Sequence, residues 1–196
     1  MYNKTNKVLL IKMTKAKKLK FLLYIYIFSQ VGFYIFAPLY ALFAKSIDIT
    51  PRYIGFIWSA YSMMAAILIL LFGKYENRRR KEKYVKLGVY IYPIADLLFL
   101  TVHSASGLLL VLSLNALGAG ITFPALKTMF ARNQGKGKES EEWSWMDSSN
   151  MFAGAIGAAI GGLVIGIYGF KGLFITMAII QFLAAIMAHK TLAYKK

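Results

Sequence analysis

Long apolar runs, separated by short basic or glycine-containing joints, organise this chain. Six runs are readable, at about 21–44, 54–73, 87–105, 107–130, 145–168 and 172–189. A helix needs about 20 mostly apolar residues to cross a hydrocarbon core, so each run predicts one membrane-crossing helix. The joints HSASG, residues 103–107, and YGFKG, residues 168–172, are very short. Runs three and four, and runs five and six, must therefore form antiparallel hairpins. Polar exceptions inside the runs are few. Gln30 lies about ten residues into run one and Asn115 about nine into run four, while Asp96 and Gln181 each lie about ten into runs three and six. Runs one to three and four to six thus carry polar side chains at matching offsets. Because three crossings reverse the chain, this predicts two inverted three-helix repeats with polar groups near the membrane midplane.

Composition narrows the class. The chain is 58% hydrophobic with a formal net charge of +16, and its mean hydropathy is +0.54. A soluble domain needs more polar sequence than this to cover its core, which also excludes a soluble nucleic-acid binder despite the basic charge. The sequence holds no cysteine, so disulfides, thiolate metal sites and cysteine nucleophiles are absent. His103 and His189 stand far apart, without metal-ligand spacing. A P-loop, a Gly-x-Ser-x-Gly elbow and a His-Glu-x-x-His helix are all missing, so neither an enzyme nor a cofactor or metal site is expected.

Charge sets the orientation. Of the 24 Lys and Arg residues, 21 fall in the N-terminal tail, the 74–86 loop, the 127–138 region and the C-terminal end from Lys190 onward. Only Lys45, Arg52 and Lys171 lie on the other side. By the positive-inside rule both termini are cytoplasmic, and the chain reads as an integral protein of the plasma membrane. Its organisation is then a basic cytoplasmic tail at 1–20, a membrane domain at 21–190 and a short cytoplasmic tail at 191–196. Run one is too long for a signal-peptide h-region. The lysines of the tail attract anionic headgroups of the surrounding bilayer, and Trp143 and Trp145 sit where interfacial aromatics anchor a helix.

Three stretches carry a family resemblance. APLYALFAKSIDITPRYIGFIWSAYSMMAAILILLFGK is similar to the first two spans of major facilitator superfamily transporters. FGKYENRRRKEK falls where that family has its signature loop, and GAIGAAIGGLVIGIYGFKGLF is similar to its glycine-rich fifth or eleventh span. The loop keeps Gly73 but has Asn77 at the aspartate position and Arg80 at a later glycine position. Run four has Leu114 and Asn115 where the family often has an arginine, and run five has Ala158 where its antiporters carry proline. The resemblance implies an all-α membrane fold, specifically a six-helix half of a twelve-span carrier. Such a half pairs with itself as a homodimer or with another half as a heterodimer, unless it is a truncated product.

Candidate chemistry follows from the faces of these helices. Tyr26, Gln30, Phe33, Tyr34 and Ala37 share one face of run one, and Asn115, Gly118, Ala119 and Thr122 share a stripe of run four. The resemblance implies that these faces line a central cavity, with Tyr26, Gln30, Phe33, Tyr34, Asn115, Ala119 and Thr122 meeting a small solute. The simpler role for Gln30 and Asn115 is hydrogen bonding between helices. Asp96 lies at midplane depth with no Lys or Arg at that level in any run. It is either a neutral carboxyl bonded to Gln181 or backbone, or a proton site of the carrier. Gly154, Gly157, Gly161 and Gly162 permit close helix packing, and the resemblance places that face at the joint between halves. It also implies a cytoplasmic gate in which Gly73, Asn77, Arg78 and Arg79 of the loop meet Asp147, with Glu139, Glu141 and Glu142 nearby. The expected function is solute transport by alternating access; the rival is a non-transporting interaction or regulatory protein derived from a carrier.

Overall fold

The structure, a computed structural model, describes residues 14–76 and 81–192, and every long element among them is helical. Helix α1 spans Lys15–Phe36. The Thr14 hydroxyl caps it by accepting from the Lys17 amide at 3.4 Å. It begins ahead of the apolar run because Leu19 and Leu22, in its first turns, are already buried in the core. Pro38 supplies no N–H, and the helix tightens there into a 3-10 turn at Ala37–Leu39 before resuming as α2, Tyr40–Ser46. Asp48 then takes a left-handed conformation, φ 60, and the Ile49 amide donates back to the Ala44 carbonyl at 3.0 Å. Pro51, free of the need to donate, opens α3, Pro51–Glu76.

Helix α4, Lys81–Leu98, ends in a 3-10 turn at Phe99–Thr101. Ser104 caps α5, Ala105–Asn133, by accepting from the Gly107 amide at 3.2 Å. Helix α6, Glu139–Thr191, is 53 residues long, which as a straight rod would measure about 80 Å. It is not straight. Gly169 interrupts it at φ 64, ψ −166, a region closed to residues with a Cβ. The chain folds back there, because Gly157 before the break and Gln181 beyond it lie against the same stretch of α1. On an unbroken helix those two positions would stand about 36 Å apart.

Among the described residues, five helical stretches are long and apolar enough to cross a membrane, α1 and α2 counting as one of 32 residues and folded α6 as another. Their outward faces are apolar: Met63 and Leu70 on α3, Leu110 on α5, and Leu163 and Ile167 on α6 are all exposed. That surface suits lipid and not water. The interior separates into two apolar clusters. One gathers Ile35, Phe36, Phe43, Phe99 and Phe174. The other, at the end that holds the start of α1 and the end of α6, gathers Leu19, Leu22, Val85, Val89, Phe130 and Leu192. By their places along α1, α4, α5 and α6, the buried polar residues Ser29, Asp96, Asn115 and Gln181 form a layer between the two.

Candidate functional site

The polar layer borders a cavity of about 110 Å³. Helix α1 contributes Ser29, Gln30 and Phe33; α3 contributes Tyr61; α4 contributes Tyr92; α5 contributes Asn115, Ala119 and Phe123; α6 contributes Gln181. Four of the residues named from sequence therefore meet here: Gln30, Phe33, Asn115 and Ala119. Phe33 stacks on Tyr61 with ring centres 6.5 Å apart and also reaches Trp58, so α3 supplies an aromatic wall.

The remaining three turn elsewhere. Tyr26 and Tyr34 face the first limb of α6 and meet Asn150, a residue that sequence reasoning did not single out. The Asn150 side-chain oxygen accepts from the Tyr26 hydroxyl at 3.3 Å and from the Gln30 amide, while its nitrogen donates to the Tyr34 hydroxyl at 3.2 Å. Tyr26, Gln30 and Tyr34 are spaced at one-turn intervals, so one asparagine ties three turns of α1 to α6. Asn150 lies in the polar run DSSN, which reads as a helix beginning and hides it. Thr122 is fully buried in the α4–α5 seam, packed against Gly88 and facing Tyr92.

Asp96 is 0% exposed, and neither carboxylate oxygen has a hydrogen-bond partner among the described residues. The Gln181 side chain lies across Gly32 of α1, and its oxygen is likewise unpartnered. The Asp96–Gln181 hydrogen bond, one of the roles left open for Asp96 by the sequence, is thus not made; Gln181 lies instead on the glycine notch of α1.

The glycines of α6 differ from what the resemblance implies in the partner they pack on. A Cβ at Gly157 would lie 2.8 Å from the Val31 carbonyl oxygen, and one at Gly161 would fall on the Ile35 carbonyl oxygen. A Cβ at Gly154 would meet the Tyr34 ring at 3.9 Å, an ordinary contact. Gly157 and Gly161 make their close approach inside the chain, to α1, with Gly154 facing the same helix, so these three do not form a face free for a second half. Gly162 does look outward, with nothing within 4 Å. Of the gate residues, Asn77, Arg78 and Arg79 lie outside the described residues. Gly73 faces Pro124, which a Cβ added at that position would meet at 3.7 Å. Asp147 is exposed, and Glu142 is buried, accepting from the Gly135 amide at 3.0 Å to brace the α5–α6 turn.

The sequence model of the Major Facilitator Superfamily matches residues 22–193. The chain belongs to that superfamily. It is accordingly an integral membrane protein. A superfamily relative, an uncharacterized MFS-type transporter of Methanocaldococcus jannaschii, is 24% identical over 181 residues, covering 92% of this chain and 47% of the relative. The chain thus spans about half the length of that curated relative. Among solved structures, the superfamily fold recurs in a crystal structure of the POT family transporter PepTSo. It superposes with a TM-score of 0.78 at 16% identity, over 88% of this chain and 37% of the other.

Proposed function

We propose that this chain forms one six-crossing half of a superfamily carrier that moves a small solute by alternating access. In this reading α6 crosses the membrane twice, once on each side of Gly169, and both chain ends lie in the cytoplasm at the plasma membrane. One observation carries the reading: α1 and α5 bring Gln30, Phe33, Asn115 and Ala119 together at a cavity within the polar layer. Polar side chains at that depth are costly in a bilayer and are retained where they serve a pathway. Tyr61 and Phe33 add aromatic surface, which suits an amphipathic solute. Asn150 holds Gln30 in place for it.

The carrier works with a second half, and three of the glycines that pack on nothing, Gly55, Gly162 and Gly166, supply the surface for that partner. The cytoplasmic loop around Asn77, Arg78 and Arg79, acting with Gly73 and Asp147, gates the inner side. The sequence has no native cysteine, so a single introduced thiol reports cleanly. Ala119→Cys in proteoliposomes is expected to react with a membrane-impermeant thiol reagent applied from either face. Labelling from neither face, in folded protein, would overturn alternating access.

A further inference from the structure

Two helices carry matching stripes on the outside of the bundle. On α4, Lys86, Tyr90, Ile94 and Leu97 recur at intervals of four, four and three residues, which keeps them on one face. On the second limb of α6, His189, Phe182 and Ile179 share a face in the same way. The two stripes lie side by side, because the Tyr90 and His189 rings meet edge-on with centres 6.3 Å apart. The helices run in opposite directions there: the start of α4 and the end of α6 share one apolar cluster, Phe99 and Phe174 the other. Ile94, Leu97, Phe182 and Ile179 therefore continue both stripes away from the ring contact, and all four are exposed. Lys86 immediately precedes the apolar run of α4, and His189 closes that of α6, so both stand at headgroup level. Glu82, one turn before Lys86, divides its charge between Lys86 and Lys18 of α1, the latter 3.5 Å away. The end of the groove stays positive, since exposed Lys190 adds a cation beside His189.

This arrangement restricts what the groove takes. An ammonium group and an imidazole N–H donate to the oxygens of an anion. The four apolar side chains beyond them call for hydrocarbon. A soluble anion would leave the apolar flanks unmatched, and a plain hydrocarbon would leave Lys86 unmatched. One molecule meets both demands if it is anionic at one end and a long hydrocarbon at the other. A second copy of this chain fits less well. Seated in the same orientation, it would bring its own basic end against Lys86 and His189, and like charges in contact are costly.

We propose that the groove between α4 and the second limb of α6 seats one anionic phospholipid, its phosphate at Lys86 and His189 and an acyl chain along Ile94, Leu97, Phe182 and Ile179. The Tyr90 ring holds the His189 ring edge-on and so sets the imidazole for the headgroup. This differs from the diffuse attraction of the tail lysines, because it depends on particular side chains at one place. Neither stripe includes Gly55, Gly162 or Gly166, the glycines offered to a second half. The proposal needs a membrane but not transport.

Thermal unfolding of the purified chain in a non-ionic detergent tests it. The additions are dioleoylphosphatidylglycerol, dioleoylphosphatidylcholine or inorganic phosphate, at equal ionic strength. Phosphatidylglycerol about tenfold above its dissociation constant is expected to raise the midpoint by about 3–6 °C over phosphatidylcholine, and inorganic phosphate to leave it unchanged. Lys86→Gln and His189→Gln should each cut that shift by about half or more. Lys127→Gln, which removes an exposed cation of α5 at the same end of the bundle, should leave it intact. The three side chains are at least partly exposed, so the variants are expected to fold, and their midpoints in phosphatidylcholine check this. Equal midpoints in the two lipids overturn the proposal, and so does an equal rise with inorganic phosphate. It is also overturned if the shift survives undiminished in Lys86→Gln and His189→Gln, or if Lys127→Gln loses as much as Lys86→Gln.

Discussion

At the scale of single residues, what decides a substitution is which neighbour the added atoms would meet. Gly161 and Gly162 are adjacent and chemically identical, yet their surroundings differ. A side chain at Gly161 meets backbone of α1, which cannot rotate away, while Gly162 has open space. Gly161→Ala is therefore expected to lose about 1–3 kcal/mol, and Gly162→Ala to stay within a few tenths. Thermal unfolding in detergent separates the two. Asn150→Ala should cost on the order of 1–3 kcal/mol, because Gln30, Tyr26 and Tyr34 lose a shared partner. Solute binding should weaken with it if Gln30 is a contact. Gln30 and Asn115 were legible as purposeful because a lone polar residue in an apolar run stands out. Asn150 was not, since it sits in a polar stretch where asparagine is unremarkable.

At the scale of elements, breaks in the helices depend on local chemistry and are readable. Pro38 and Pro51 mark a tightened turn and a helix start, and both follow from the missing N–H. Gly169 is the sharpest case. Its φ of 64 with ψ of −166 belongs to a region that residues with a Cβ avoid. Gly169→Ala is expected to destabilise by about 1–3 kcal/mol and to lower the unfolding midpoint by several degrees. A midpoint equal to that of the parent would show that the turn tolerates a Cβ after all. Pro93 and Pro124 lie inside α4 and α5. Their presence says nothing in sequence about neighbours, and only the fold shows Pro124 receiving Gly73.

Across the whole molecule, the charge distribution makes a global prediction. Single cysteines at Ser46 and Ser106, both exposed, should be labelled by impermeant reagent outside intact cells. Ser140→Cys, exposed at the opposite end of the bundle, should react only after the cells are opened. External labelling at Ser140 would invert the proposed orientation.

The sequence alone determined the membrane class, the apolar stretches and the depth of the polar residues, because a bilayer imposes length and hydropathy on every crossing helix independently of its neighbours. It also carried the superfamily resemblance, through local motifs that survive without tertiary context. Tertiary structure decided which residues share a site. Tyr34 and Gln30 belong to one face of α1, yet only packing shows both bound to Asn150, 116 and 120 residues away in sequence. The glycines of α6 read alike until α1 is laid against them. Gln181 and Asp96 look like natural partners at equal depth, but the notch at Gly32 draws Gln181 to α1. Depth is a property of one helix. Azimuth and neighbour identity belong to the bundle, where a rotation of a few tens of degrees exchanges a lipid-facing side chain for a buried one.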